Sequence, residues 1–151
     1  MTKTSAGLLM YRFKDGKPEV FLVHPGGPYH MNKEHWGMPK GELKDGEDPL
    51  LAAQREFTEE TGFVAAGPFK ELGSVARPGK TLHSWAFEGD NDPAKLVSNT
   101  CEVEWPPKSG TRITIPEVDR GAYYSLTEAK EKISEWQEAL IDRLTEVLGK
   151  K

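Results

Sequence analysis

The sequence predicts a mixed α/β domain in which helices cover a sheet. Three observations point there: short β-compatible runs separated by Gly- and Pro-containing turns, one cleanly capped helix among those runs, and an amphipathic helical tail. A chain of 151 residues is long enough to bury a core as one domain, residues 1–151. Its apolar share of 36% and charged share of 29% fit a globular protein, and its glycines and prolines are dispersed rather than repetitive.

The elements follow in order. Residues 6–13, "AGLLMYRF", and 18–25, "PEVFLVHP", flank the turn "KDGK" and read as a hairpin. Residues 26–35 read as a loop, and "WGMP", residues 36–39, as a short strand ending at Pro39. Asp48 is a natural N-cap with Pro49 at the first helical position, where its missing N–H is harmless. That helix runs to about Thr61 and stops at Gly62. Leu50, Ala53 and Phe57 form its apolar face, while Glu56, Glu59 and Glu60 form a stripe on another side. Residues 69–76 and 80–89 read as a strand pair around Arg77-Pro78-Gly79. Residues 90–100 read as a loop, 101–105 as a strand ending at Pro106-Pro107, 108–112 as a turn and 113–126 as one or two short strands. Thr127 is the expected cap of a short helix through Ile133. Ser134 and Gln137 form the expected capping box of the last helix, whose stripe is Trp136, Leu140, Leu144 and Val147.

The net charge of −4 argues against broad nonspecific nucleic-acid binding, and nothing points to sequence-specific binding. It leaves phosphate-bearing substrates open, because a bound dication reverses the local sign. The single cysteine, Cys101, forms no internal disulfide and reads as a small strand residue in a protein of the reducing cytosol. The first residues lack a signal peptide's apolar stretch, and no run reaches membrane-spanning length. The expectation is a cytoplasmic protein with no membrane partner.

The acidic stripe is the chemical signal. Glu56, Glu59 and Glu60 stand at i, i+3 and i+4, and the positions four residues on are Glu60, Phe63 and Val64, so no lysine offsets them. The Gly-rich turn "PKGELKDGE" leads into the helix and brings backbone carbonyls near the carboxylates. Several carboxylates with a carbonyl make a hard oxygen site suited to Mg²⁺ or Mn²⁺. Such ions neutralise a pyrophosphate and activate water.

Gly41, Glu47, Arg55, Glu56, Phe57, Glu59, Glu60, Gly62 and Phe63 together resemble the Nudix box at all nine of its positions. Seven fixed residue types at fixed spacing arise by chance at about 10⁻⁹ per start position. The surrounding strand order is also similar to the Nudix fold, an α/β/α sandwich with a mixed sheet between helices. The resemblance implies a hydrolase that cuts a nucleoside diphosphate linked to some group X, with water attacking phosphorus. It implies a small-molecule nucleotide as substrate, nucleoside triphosphates or dinucleoside polyphosphates foremost, with nucleotide sugars, capped RNA and diphosphoinositol phosphates also open. A noncatalytic Nudix-like binding module is the alternative, disfavoured because the box carboxylates are intact.

By the same resemblance Glu56, Glu59 and Glu60 match metal ligands, with the carbonyl of Lys40 or Gly41 as the backbone ligand. Glu56 or Glu59 helps activate water, and Arg55 with Glu47 braces the loop against the helix. A further acid near "PEVDRGAYYSL" is expected as ligand or base: Glu117 first, Asp119 next, then Glu102 or Glu104. "WGMPKGELKDGE" is similar to the lead-in of diadenosine polyphosphate and diphosphoinositol hydrolases, which makes Lys40 a candidate phosphate contact. Arg77, with Lys80, and Tyr124 are the other candidate substrate contacts. Tyr29 and Tyr123 are weaker stacking candidates, Trp36 reads as core, and His24, His30, His35 and His83 read as structural or solvent-facing.

Overall fold

The computed structural model describes residues 3–31 and 35–149. A long strand β1 (Lys3–Lys14) turns through Asp15 and Gly16, both at positive φ, into β2 (Lys17–Pro25). β3 (Lys40–Glu42) precedes α1 (Pro49–Thr61), and β4 (Lys70–Arg77) and β5 (Lys80–Glu88) form a second hairpin. A separate antiparallel ribbon, β6 (Thr100–Glu104) with β7 (Arg112–Pro116), leads to β8 (Val118–Ser125). Two helices finish the chain, α2 (Leu126–Lys132) and α3 (Glu138–Gly149).

The main sheet is mixed and six-stranded, in the order β4-β5-β1-β2-β8, with β3 also on β1. β1 pairs parallel with β5 from Lys3 to Tyr11 on one edge. On its other edge it pairs with β3 through Ser5–Gly7 and then with β2 through Tyr11–Lys14. The two partners split that edge, and the loops around the split border the cleft described below.

Alternation along the strands sorts the core to two faces. Ala6, Leu8, Met10, Phe21 and Phe87 pack under α1, against Ala52, Ala53 and Phe57. Leu9, Tyr11, Val20, Leu22 and Leu82 pack against Leu140, Ile141 and Leu144 of α3. Burying each of these large side chains contributes about 1.5–3 kcal/mol. The expected α/β/α sandwich with a mixed sheet between helices is the observed arrangement.

Four local expectations are corrected. "WGMP" is no strand: Trp36 and Gly37 make only isolated bridges, to Ile133 and Val23. The strand lies just after Pro39, where Lys40–Glu42 meets β1 and the Pro39 carbonyl accepts from Leu8 N at 3.2 Å. Ser125, not Thr127, caps α2: its hydroxyl accepts from Glu128 N, and Glu128 returns a contact at 3.2 Å. The Ser134–Gln137 box does not form. Ser134 caps no helix with its side chain, and Gln137 Oε1 instead accepts from the buried Met38 N at 3.2 Å. Lastly, the 90–100 segment holds a short 3₁₀ turn, Pro93–Lys95, capped by Asp92.

Candidate active site

Strong local signals place α1. The Asp48 carboxylate accepts from Leu51 N at 3.2 Å, and Gly62 closes the helix at φ 78°. One side of α1 carries Phe57 into the core. Glu56 and Glu60, although charged, are also nearly buried, at 9% and 7% exposure. They face the loop before the helix and the strand start that follows the β6–β7 ribbon. There Glu117 joins them: one carboxylate oxygen from each of Glu56, Glu60 and Glu117 lies within 4.8 Å of the others. Glu117 is thus the loop acid that this fold brings to the stripe, from sixty residues downstream.

Three carboxylates crowded in a largely buried site are costly to ionise together, even with Arg55 on Glu56, and their proton affinities are raised. Burial pushes Glu60 up to about 8, with the fields of Glu56 and Glu117 adding to it. Glu117 is raised by burial and then by Glu56 and Glu59. Glu56 is raised by burial, opposed by its hydrogen bond from Arg55. A dication among these oxygens removes the repulsion, and the donor set is the hard one that Mg²⁺ or Mn²⁺ takes. Gly41 supplies the room: a Cβ there would overlap the Glu56 carboxylate. These residues fit a hard divalent ion.

Arg55 organises the other side. Its Nε and Nη2 donate to the two oxygens of Glu47 at 2.8 and 2.9 Å, and Nη1 donates to Glu56 at 2.8 Å and Glu59 at 2.9 Å. Nη2 also reaches the Glu42 carbonyl at 3.3 Å. The offset missing at i+4 therefore comes from Arg55, four residues before Glu59 and next to Glu56. The bidentate grip holds Glu47 down at about 2, with Lys44 N assisting. Glu59 is the more exposed member of the stripe and stands with Arg55, outside the Glu56–Glu60–Glu117 set.

The other candidate acids have separate duties. Asp119 lies 3.1 Å from Nδ1 of the fully buried His24 and also meets Arg120. Glu102 pairs with Arg112, and Glu104 accepts from Lys108 N and Gly110 N to close the ribbon's turn. Cys101, on β6, is partly buried, and its thiol is pushed up by burial and by Glu117.

Glu60 and Glu117 open into a cleft of about 380 Å³ whose lining also includes Lys40, Arg77, Lys80 and Trp136. Lys40 is held below the usual lysine range by burial, against the pull of Glu60. Tyr124 does not line this cleft; it packs edge-on against Trp36, ring centroids 5.3 Å apart, on the core side. Tyr123 donates no wall either: its ring lies under Arg12 at 3.6 Å. Trp36 is buried as expected, and His30 and His35 line the cleft. Lys80 was expected as a substrate contact, whereas Trp136, expected on the core stripe with Leu140 and Leu144, packs there and also lines the cleft.

The NUDIX domain family profile matches residues 1–144. The chain belongs to the NUDIX family. This Nudix domain is 43% identical over 64 residues to a Caenorhabditis elegans asymmetrical bis(5'-nucleosyl)-tetraphosphatase, covering 42% of this chain and 44% of that protein. It is 30% identical over 105 residues to a Brucella ovis RNA pyrophosphohydrolase, covering 59% and 56%. It is 61% identical over 37 residues to Nudix hydrolase 25 of Arabidopsis thaliana, covering 24% and 21%. The chain thus spans about half or less of the curated relatives it matches. Among solved structures it superposes on the C. elegans Ap4A hydrolase in a binary complex with a TM-score of 0.70 at 22% identity, covering 97% of this chain and 98% of that one. It also superposes on the NUDIX domain of Shewanella oneidensis NrtR complexed with ADP ribose, with a TM-score of 0.69 at 14% identity, covering 98% and 89%. These likenesses are of fold. Among the described residues no helix is long and apolar enough to cross a membrane.

Proposed function

We propose that this Nudix domain hydrolyses a phosphoanhydride bond in a nucleoside diphosphate linked to X, with nucleoside triphosphates and dinucleoside polyphosphates as its foremost substrates. The observation that carries this reading is the convergence of Glu56, Glu60 and Glu117 within 4.8 Å beside a cleft lined by cations. Those three carboxylates, with the backbone carbonyl of Gly41 and with Glu59 completing the acidic face, would hold Mg²⁺ or Mn²⁺. When bound, such an ion supplies Lewis acidity and charge neutralisation at a diphosphate.

The chain's own groups do the rest. Arg55 fixes the orientation of Glu56 and Glu59 and ties both to the loop through Glu47. Glu59, more exposed than its neighbours, takes the proton of the attacking water, with Glu56 beside it on the same guanidinium. Lys40, whose backbone N lies 3.4 Å from Glu60 Oε1, and Arg77 line the same cleft and would meet the phosphates there. Tyr124 reaches the substrate only indirectly, by holding Trp36 in place. We place the reaction in the cytoplasm, in keeping with a chain whose single cysteine can close no internal disulfide.

The test is a steady-state screen of dinucleoside polyphosphates, nucleoside triphosphates and nucleotide sugars with Mg²⁺, Mn²⁺ or EDTA. We expect metal-dependent release of two phosphate-bearing products, and a kcat lowered at least about 10²-fold by Glu59→Gln. No turnover of any of these compounds with any divalent ion refutes the reading, and a change under about threefold in Glu59→Gln refutes that residue's role.

A further inference from the structure

Glu117 stands one residue ahead of β8, and simple alternation along that strand would aim it elsewhere. β8 pairs with β2 one for one from Ser125 back to Arg120, which lies opposite His24. The next pair is Pro25 with Val118, so Asp119 is an extra residue that β2 does not pair. This is a β-bulge. Its neighbours show what it does to facing. Phe21, Val23 and Tyr123 belong to the core under α1, whereas Leu22 and Ala122 belong to the core under α3. Unbroken alternation back from Tyr123 would send Asp119 and Glu117 to the α1 side and Val118 to the other. The bulge exchanges them: Val118 fills the core under α1, and Glu117 is left to line the cleft with Glu60.

The bulge is pinned by side chain and backbone. The Asp119 carboxylate oxygens lie 3.1 and 3.2 Å from Nδ1 of His24, the fully buried β2 residue at which the register shifts. An ionised carboxylate only accepts, so Nδ1 carries the shared hydrogen. Arg120, over the Trp36 ring at 5.2 Å, gives the same carboxylate a second donor at 3.2 Å. The Glu117 carbonyl accepts from Gly26 N and its N–H donates to the Asn99 carbonyl, both at 3.0 Å, and Val118 N donates to Ser98 Oγ at 3.0 Å. Asn99 N in turn donates to the Glu59 carbonyl at 2.7 Å, which ties this stretch to the acidic helix.

We propose that the Asp119 bulge, locked by His24, is a positioning device that aims Glu117 at Glu56 and Glu60. His24 and Asp119 are then positioning residues: they give no oxygen to the carboxylate cluster, yet they decide whether its third member is present. This rests on the metal-dependent reading above for what the cluster holds. A strand end that loses its lock slips toward the unbroken register, and a slip of one residue turns Glu117 from the cleft.

The test compares wild type, Asp119→Ala, Asp119→Asn, Glu117→Gln and the double variant Asp119→Ala with Glu117→Gln, all without substrate. In EDTA, amide hydrogen exchange at Glu117 and Val118 should quicken at least about tenfold in Asp119→Ala. Asp119→Asn, whose amide oxygen still accepts from His24, should stay within about threefold of wild type. Mn²⁺ titration followed by electron paramagnetic resonance should show Asp119→Ala binding about tenfold more weakly. In the Glu117→Gln background the same substitution should add less than about twofold, because its effect passes through Glu117. Unchanged exchange in Asp119→Ala overturns the positioning role, as does Mn²⁺ bound as tightly as by wild type, or a full tenfold loss repeated in the double variant. A wild-type protein that binds no Mn²⁺, while exchange still quickens in Asp119→Ala, keeps the lock on Glu117 and refutes the metal-dependent hydrolase. Asp119→Ser, too short to reach His24, takes the place of Asp119→Ala if that variant does not fold.

Discussion

Replacing Glu60 by Gln should stabilise the metal-free protein, and by an amount that grows with pH. Glu60 sits at 7% exposure with its proton affinity raised from 4.5 to about 8 by burial and then by Glu56 and Glu117. The folded chain therefore holds this proton more tightly than the unfolded one. The sign follows: ionising Glu60 costs nothing below the unfolded value, costs progressively more as pH rises above 4.5, and reaches its full cost once pH passes about 8. At about 1.4 kcal/mol per pH step, the cost is about 1 kcal/mol near pH 5.5 and about 4–5 kcal/mol near pH 8.5. Gln has the same shape and can still accept from Lys40 N, which meets Glu60 Oε1 at 3.4 Å. Urea unfolding in EDTA at those two pH values should show Glu60→Gln the more stable, with the advantage larger by about 3 kcal/mol at the higher pH. Saturating Mg²⁺ should reverse the order, because binding stabilises only the chain that keeps the ligand. A variant less stable than wild type in EDTA at high pH, or an advantage independent of pH, would show that the three carboxylates do not strain the fold.

Three other outcomes are expected. Gly41→Ala drives a methyl group into the Glu56 carboxylate and should lower kcat at least about tenfold with little change in far-UV circular dichroism, since a small misplacement of a ligating group is expensive in rate. Arg55→Lys cannot reproduce the bidentate hold on Glu47 together with the bonds to Glu56 and Glu59; kcat should fall about 10- to 100-fold, and a loss below threefold would remove Arg55 from the site. Gln137→Ala strands the buried Met38 N–H and should cost about 1–3 kcal/mol in urea unfolding, whereas a neutral result would mean that water replaces the amide.

What was legible in the sequence was what local chemistry decides. Asp48, Pro49 and Gly62 announce α1 within its own span, and the observed limits Pro49–Thr61 match them. The acidic stripe was equally plain, because its members lie on one helix. What depends on partners far along the chain was harder to read. Residues 36–39 look like a strand in isolation, but β1 takes Lys40–Glu42 instead, where Gly7 leaves room for the Pro39 carbonyl. Gln137 resembles a capping residue and is recruited by Met38, ninety-nine positions away. Thr127 was expected to cap α2, but β8 runs on to Ser125 and the helix starts at Leu126, so the cap falls on Ser125. Within the site, the i, i+4 spacing puts Arg55 beside Glu59, but it could not say that Glu60 turns toward Glu117. Nor could a single sequence bring Trp136 against Arg77.

The arrangement of the two core faces sets an order of events during synthesis. The face beneath α1 has its cover by the time residue 61 has been made, but Leu9, Tyr11, Val20 and Leu22 wait for Leu140, Ile141 and Leu144. α3 follows every strand, so a ribosome-bound chain holds its sheet with one greasy side uncovered until residues 138–149 have been made. Trp136 travels with that closing segment, which makes its indole one of the last pieces of the cleft to be translated.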